Sequence, residues 1–308
     1  MSAAHIHSTT QSRLFLSLIL TIGFVIFEII AAYRSHSLAL LSDAGHNLTD
    51  VIALVLTLYA VYLTSRPANA RKTFGYHRVG ILVALINSVS LIGIALGIFY
   101  QAYQRILQPL IVDAPILITV ASIAFIINTL TAWLLMHGSE HDLNLRSAFL
   151  HLLADALSTL AAIIAGVIIY WTGLSWLDSV VSIIIGLLII WNAIGILQES
   201  INILLENTPT DIDSSKIVRD LMSIHGVKGV HDLHIWSISQ QTRLLTAHIV
   251  TEDMNISQSA VIQQQIHRQI HQNYGINHST LQIECVNCEP NLLYCDLESH
   301  KPVHCHHD

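Results

Sequence analysis

Charge is what this sequence has least of. Only 11% of its 308 residues are Asp, Glu, Lys or Arg, against about 25% in an ordinary soluble domain. Together with 53% hydrophobic residues, that deficit excludes a soluble globular protein over most of the chain and points to a polytopic membrane protein. The formal net charge is −7, and no Lys/Arg cluster is interleaved with aromatics, so a nucleic-acid partner is not expected. Nor is there a glycine-rich phosphate loop of the Walker type, which argues against a nucleotide-driven pump. Cysteine is absent before position 285; Cys285, Cys288, Cys295 and Cys305 all lie close to the C-terminus. A disulfide scaffold would spread its cysteines, and on a cytosolic end thiols favour metals. Histidine runs the other way, with 19 copies.

The apolar residues gather in six runs, at about 14–33, 39–64, 79–104, 114–136, 147–172 and 177–200. Each has the roughly 20 residues needed to cross a bilayer. The first is read as a retained helix and not a signal peptide, because it contains Glu28 and lacks a small-residue cleavage site. Short-loop charge sets the orientation. Arg13, Arg66, Arg71, Lys72, Arg78 and Arg146 fall on one side, against Arg34 and Arg105 on the other. Both termini are therefore expected in the cytosol. In the third run, Gly93-x-x-x-Gly97 permits a close helix contact, either a dimer seam or merely the usual abundance of glycine in membrane helices.

Composition changes after residue 205. Asn207-Thr-Pro-Thr-Asp-Ile-Asp is a breaker and cap cluster. Helical periodicity then covers 212–224 and 257–273, while 228–238, 243–251 and 279–286 alternate as strands do. The expected organisation is a cytosolic tail (1–13), a six-helix membrane domain (14–205), a small α+β cytosolic domain of α-β-β-α-β order (206–290) and a His/Cys-rich tail (291–308).

The chemistry concentrates in one pattern that occurs twice. Ser42-Asp-Ala-Gly-His46-Asn-Leu-Thr-Asp50 and Ser147-Ala-Phe-Leu-His151-Leu-Leu-Ala-Asp155 share Ser-x-x-x-His-x-Leu-x-Asp, each inside an apolar run. Four-residue spacing puts each His and Asp on one helix face, a turn apart. A lone polar residue in a membrane helix is often only an interhelical hydrogen bond. Two pairs of identical spacing on different helices are harder to explain that way, because buried ionisable groups are unfavourable unless they pair or bind an ion. Two imidazoles and two carboxylates make a ligand set for a tetrahedral divalent cation such as zinc.

Charge balance suggests what such a site does. With a divalent cation, the two carboxylates and two neutral imidazoles form a neutral cluster. Without it, two buried negative charges remain, and low dielectric disfavours them. Proton uptake relieves this, most readily on histidine, whose ordinary pKa is about 6.5. Metal and protons then compete for the same ligands, as antiport requires.

Six runs, paired His-x-x-x-Asp motifs in the second and fifth, and an α-β-β-α-β domain resemble the cation diffusion facilitator family over about residues 14–288. The segment Phe74-Gly-Tyr-His77-Arg78 is also similar to the family's approach to its third span. The resemblance implies a homodimer that exports zinc, with cadmium and cobalt as further candidates, in exchange for protons by alternating access. It implies His46, Asp50, His151 and Asp155 as the transport site, with histidine at the first position favouring zinc over manganese.

The same resemblance implies cytosolic sites. His77 matches the place of a second metal site in some relatives, beside the alternative of a solvated loop histidine. His231 and His248, with His234 nearby, match metal-holding positions of the regulatory domain. The chain departs from that pattern at Ile283-Glu284-Cys285-Val286, where those relatives carry His-x-Asp, so Cys285-x-x-Cys288 is favoured as the cytosolic zinc pair by its spacing. Its further ligands would come from His304, Cys305 and His306 or from His5 and His7. Arg78 and Glu206 resemble an interlocking dimer charge pair, with an ordinary surface pair as the alternative. The short His137–Arg146 connection, where many eukaryotic relatives carry a histidine-rich insert, leans toward a bacterial inner membrane.

Two other classes of function compete. A di-metal membrane oxidoreductase needs more ligands than two histidine-bearing helices offer, and favours His-x-x-x-His spacing. A membrane-embedded metal sensor would leave the intramembrane ligands unexplained.

Overall fold

The computed structural model describes residues 22–136 and 143–285. The N-terminal tail with His5 and His7, the start of the first apolar run, and everything from 286 onward, including Cys288, Cys295, His304, Cys305 and His306, lie outside the described residues. The chain divides into two compact units, one of Met1–Tyr59 with Val83–Leu197 and the other of Ala60–Leu82 with Gln198–Asp308.

The first unit is helical. Helix α1 is described over 22–35, followed by α2 (Leu38–Thr64), α3 (Arg78–Leu107), α4 (Ala114–Met136), α5 (Leu143–Thr172) and α6 (Trp176–Leu204), parts of which belong to the second unit. Among the described residues, α2 to α6 are the five helices long and apolar enough to cross a membrane by length and composition. Several outrun their apolar segments: α3 continues to Leu107 and α6 to Leu204. Hydropathy reports where lipid contact ends, whereas the helix itself continues until a breaker stops it.

No more than 33% of any span's most apolar window is buried within the protein. Trp171 and Trp191 are each 80% exposed, an outward apolar surface that suits lipid and not water. Inside, small residues let the helices approach: Ala39, Ala95, Ala121, Ala162 and Ala193 line the buried cluster. Gly186 is the tightest case, since a Cβ there would stand 2.5 Å from the Phe99 ring. At Gly93 and Gly97 a Cβ would meet nothing within 4 Å, so no close packing against this glycine pair occurs among the described residues.

One polar knot ties this unit together. Asp178, in the first turn of α6, accepts hydrogen bonds from the Ser37 hydroxyl (2.5 Å) and from the backbone N–H groups of Leu38 (2.5 Å) and Ala39 (3.2 Å). It thereby caps α2, whose first N–H groups have no partner within the helix. Arg105 lies 3.7 Å from the same carboxylate and also donates to the His36 carbonyl.

The second unit carries α7 (Ser214–Met222), β1 (Val227–Ser237), β2 (Arg243–Thr251), α8 (Ile256–Tyr274) and β3 (Ile276–Cys285). The α-β-β-α-β order read from periodicity is the order found. The sheet runs β1-β2-β3, with β1 antiparallel and β3 parallel to β2. A parallel neighbour needs a crossover, which α8 supplies. Asp213 caps α7, Asn255 and Gln258 form a reciprocal capping box on α8, and Gly275 ends α8 at φ 64°. That glycine lets the strand start at once, which is why β3 begins at Ile276 and not at 279. Ile262, Ile266 and Ile270 form a buried stripe of α8 over Leu233, Ile235, Leu245 and Ile249.

Candidate metal sites

Within the first unit, α2 and α5 bring His46 and Asp155 together. His46 Nε2 stands 3.3 Å from Asp155 Oδ1 and 3.5 Å from Asp50 Oδ2. The imidazole thus reaches a carboxylate on its own helix, one turn away, and another on a helix a hundred residues on. Asp155 is buried, at 8% exposure. Three of the four residues expected from the repeated motif therefore converge. The fourth, His151, occupies α5 one turn before Asp155, and its side chain lies outside the described residues.

Two further acids stand beside this centre. Glu28 on α1 is fully buried, and its Oε2 accepts from Asn47 Nδ2 at 3.0 Å. Asp43 on α2 is only 6% exposed and lies within hydrogen-bonding reach of Glu28. The Ser-Asp start of the first motif offers a signal for Asp43, but position near a helix end suggests a solvated cap; burial by α1 decides otherwise.

The cytosolic domain holds a second cluster. Among the described residues, one set of three potential ligands brings its donor atoms within 4.8 Å of one another: His231, His248 and Glu284. His231 and His248 are directly opposite in the antiparallel register, their rings 5.0 Å apart and edge-to-face. Glu284 of β3 bridges them, with Oε2 2.8 Å from His231 Nε2 and Oε1 2.8 Å from His248 Nδ1. Asp232 extends the group, 3.3 Å from His248 Nε2 and 3.0 Å from His234 Nε2. Asp232 holds φ at 49° inside a register shift between His231 and His234, a bulge that re-aims its side chain. Two imidazoles and a carboxylate form a donor set suited to zinc, with one tetrahedral position left for water or another ligand.

This rearranges the cytosolic expectations. His231 and His248 come together as matched, and His234 joins them through Asp232. Glu284, read as a departure from the pattern, is the residue that closes the group. Cys285 next to it is exposed and outside the triad, and its expected partner Cys288 lies outside the described residues. His77, just before α3, is in no such triad among the described residues. Arg78 donates to Glu206 at 2.6 Å; the pair named above as a dimer contact closes within one chain.

Comparison with known proteins matches both parts of the chain to one family. Residues 14–205 match the cation efflux transmembrane domain and residues 209–286 match the cation efflux protein cytoplasmic domain. The chain is 38% identical over 311 residues to the cadmium, cobalt and zinc/H(+)-K(+) antiporter of Bacillus subtilis, with 100% of both chains covered. It is 36% identical over 316 residues to the zinc transporter ZitB of Escherichia coli, covering 99% of each. The metal cation efflux system protein CzcD of Cupriavidus metallidurans is 35% identical over 292 residues, covering 94% of this chain and 92% of the relative. A solved metal-bound C-terminal domain of a CzcD transporter aligns at 27% identity and a TM-score of 0.22, covering 24% of this chain and 99% of that one.

Proposed function

The chain belongs to the cation efflux family, and on that premise we propose that it carries zinc, with cadmium and cobalt as further substrates, out of the cytosol in exchange for protons. It is a secondary transporter and not an enzyme. The observation that carries the reading is the His46 imidazole set between Asp50 and Asp155 on two different helices. The second copy of the motif adds His151 as the fourth ligand in this reading. Imidazole and carboxylate together suit zinc, whereas oxygen donors alone suit manganese.

The chain's own groups supply the coupling. Asp50 and Asp155 balance the charge of the divalent cargo, and once it departs they leave negative charge in a low-dielectric site. Protons restore neutrality there, so occupancy by metal and by protons alternates. The cargo's path needs ligands on two helices that can separate, and α2 and α5 provide one pair each.

Six spans with both termini in the cytosol fit the loop charges, and the short His137–Arg146 connection fits a bacterial inner membrane. In this reading the chain divides into a cytosolic tail (1–13), the transport domain (14–205), the regulatory and dimerisation domain (206–290) and the His/Cys-rich tail (291–308). A homodimer, with the unused Gly93/Gly97 face of α3 as one seam, and zinc bound by His231, His248 and Glu284 as a regulator complete the reading. No nucleotide or nucleic acid takes part.

The test uses the purified full chain in liposomes loaded with a zinc dye and a pH dye. Zinc movement against protons in the wild type, absent in Asp155→Ala and His46→Ala, is the expected result. Zinc binding without flux in the wild type would instead favour a metal sensor.

A further inference from the structure

Glu28 and Asp43 face one another in the interior, yet among the described residues no N–H or O–H donor reaches Glu28 Oε1 or Asp43 Oδ2. The residues are 0% and 6% exposed respectively. Only Glu28 Oε2 has a donor among the described groups, Asn47 Nδ2 at 3.0 Å. Two carboxylate oxygens brought together out of water repel strongly unless something positive stands between them. Among the described residues no Arg or Lys side chain bonds either acid. The charged groups facing the pair are His46 on α2 and Asp155 on α5.

We propose that Glu28 and Asp43 share one proton between these facing oxygens, forming a subsite for the ion exchanged against the metal. A proton needs only the two oxygens present, whereas an alkali ion needs a fuller ring of oxygen ligands. The pair stands on α1 and α2, beside the His46–Asp155 contact but made of different residues. When a divalent cation arrives next door, the shared O–H bond breaks and the proton passes to water; when the cation departs, a proton from water re-forms it. Each cycle thus returns the carboxyl pair to its starting state, with no other reactant consumed. This rests on the transport reading above and adds where one exchanged proton resides.

The full chain in liposomes tests it through the dependence of apparent zinc affinity on pH. Each coupled proton contributes about tenfold per pH unit. Glu28→Gln and Asp43→Asn keep shape and supply a permanent amide donor in place of the proton. Saturable zinc transport should persist in both, with the slope of log apparent KM against pH reduced by about one. An unchanged slope, with transport intact, overturns the shared proton while leaving the transport reading in place. Loss of zinc binding in both variants also overturns it, by making the pair part of the metal site. If the wild type exchanges no protons for zinc, the transport reading itself fails. A wild-type measurement guards against variants that do not fold: the infrared difference spectrum on adding zinc should lose a protonated-carboxyl band, and no such band sinks the proposal. Replacing potassium and sodium with a bulky organic cation should change nothing; a wild-type alkali requirement would assign the pair to an alkali ion.

Discussion

Asp178 accepts the Ser37 hydroxyl at 2.5 Å across 141 positions of sequence, so the helix that carries His46 is capped by a carboxylate from α6. The same carboxylate takes the N–H groups of Leu38 and Ala39 and faces Arg105. Asp178→Ala leaves these donors and the guanidinium short of an acceptor in a closed site. Removing one partner of such a buried network destabilises by about 3–5 kcal/mol. Asp178→Asn keeps one acceptor oxygen and should lose less. Thermal unfolding in detergent reads both, and an Asp178→Ala variant as stable as the wild type would contradict the capping role.

The ligand chemistry of the membrane centre predicts a change of metal preference. His46→Asp replaces a nitrogen donor by oxygen and leaves the remaining carboxylates in place. Oxygen-rich sites favour manganese, so the ratio of zinc to manganese transport should fall by roughly tenfold or more. Competition of the two metals in the liposome assay measures this. An unchanged ratio would mean that His46 does not contact the cargo.

Legibility in the sequence followed the physical range of each signal. The spans were readable because a bilayer demands long apolar runs, and the cytosolic order was readable because Ile262, Ile266 and Ile270 repeat at helical spacing. His46, Asp50, His151 and Asp155 stood out because identical spacing on two helices leaves few bland explanations. Asp178 carries no motif, and its partners at 37–39 are set by tertiary packing alone. The pairing of Glu28 with Asp43 is hidden from the sequence for the same reason, since it depends on α1 lying against α2. Glu284 was visible in the sequence, but a pattern expecting histidine there hid that a carboxylate reaches both His231 and His248. Gly186 carried no motif, although a Cβ there would meet Phe99 at 2.5 Å.

The cytosolic triad predicts metal binding independent of the membrane centre. In a chain carrying Asp155→Ala, zinc should still bind, through His231, His248 and Glu284. Adding Glu284→Gln removes the group that bridges the two imidazoles at 2.8 Å each. Affinity should then fall by about 10–100-fold at least, the effect of losing even an outer partner of a metal ligand. Equilibrium zinc binding to the double variant checks it. Retention of full affinity would return the weight to Cys285 and the residues beyond it.

The packing of α8 on α7 depends on a proton. The Tyr274 hydroxyl donates to Asp220 Oδ2 at 2.5 Å. Burial first, and then that bond and the charge of Asp220, push the phenol up from 10.0 to about 12. The folded protein therefore holds this proton more tightly than the unfolded chain does. The resulting stability is fully present below pH 10.0 and is lost as pH rises from there to about 12. Tyr274→Phe has no proton to hold, so it should be less stable than the wild type near neutrality. The difference between the two should shrink steadily through that alkaline window. Unfolding midpoints of the cytosolic domain within the full chain, compared between wild type and variant along a pH series, provide the measurement. Two curves that stay parallel into the alkaline range would show that Asp220 does not hold the tyrosine proton.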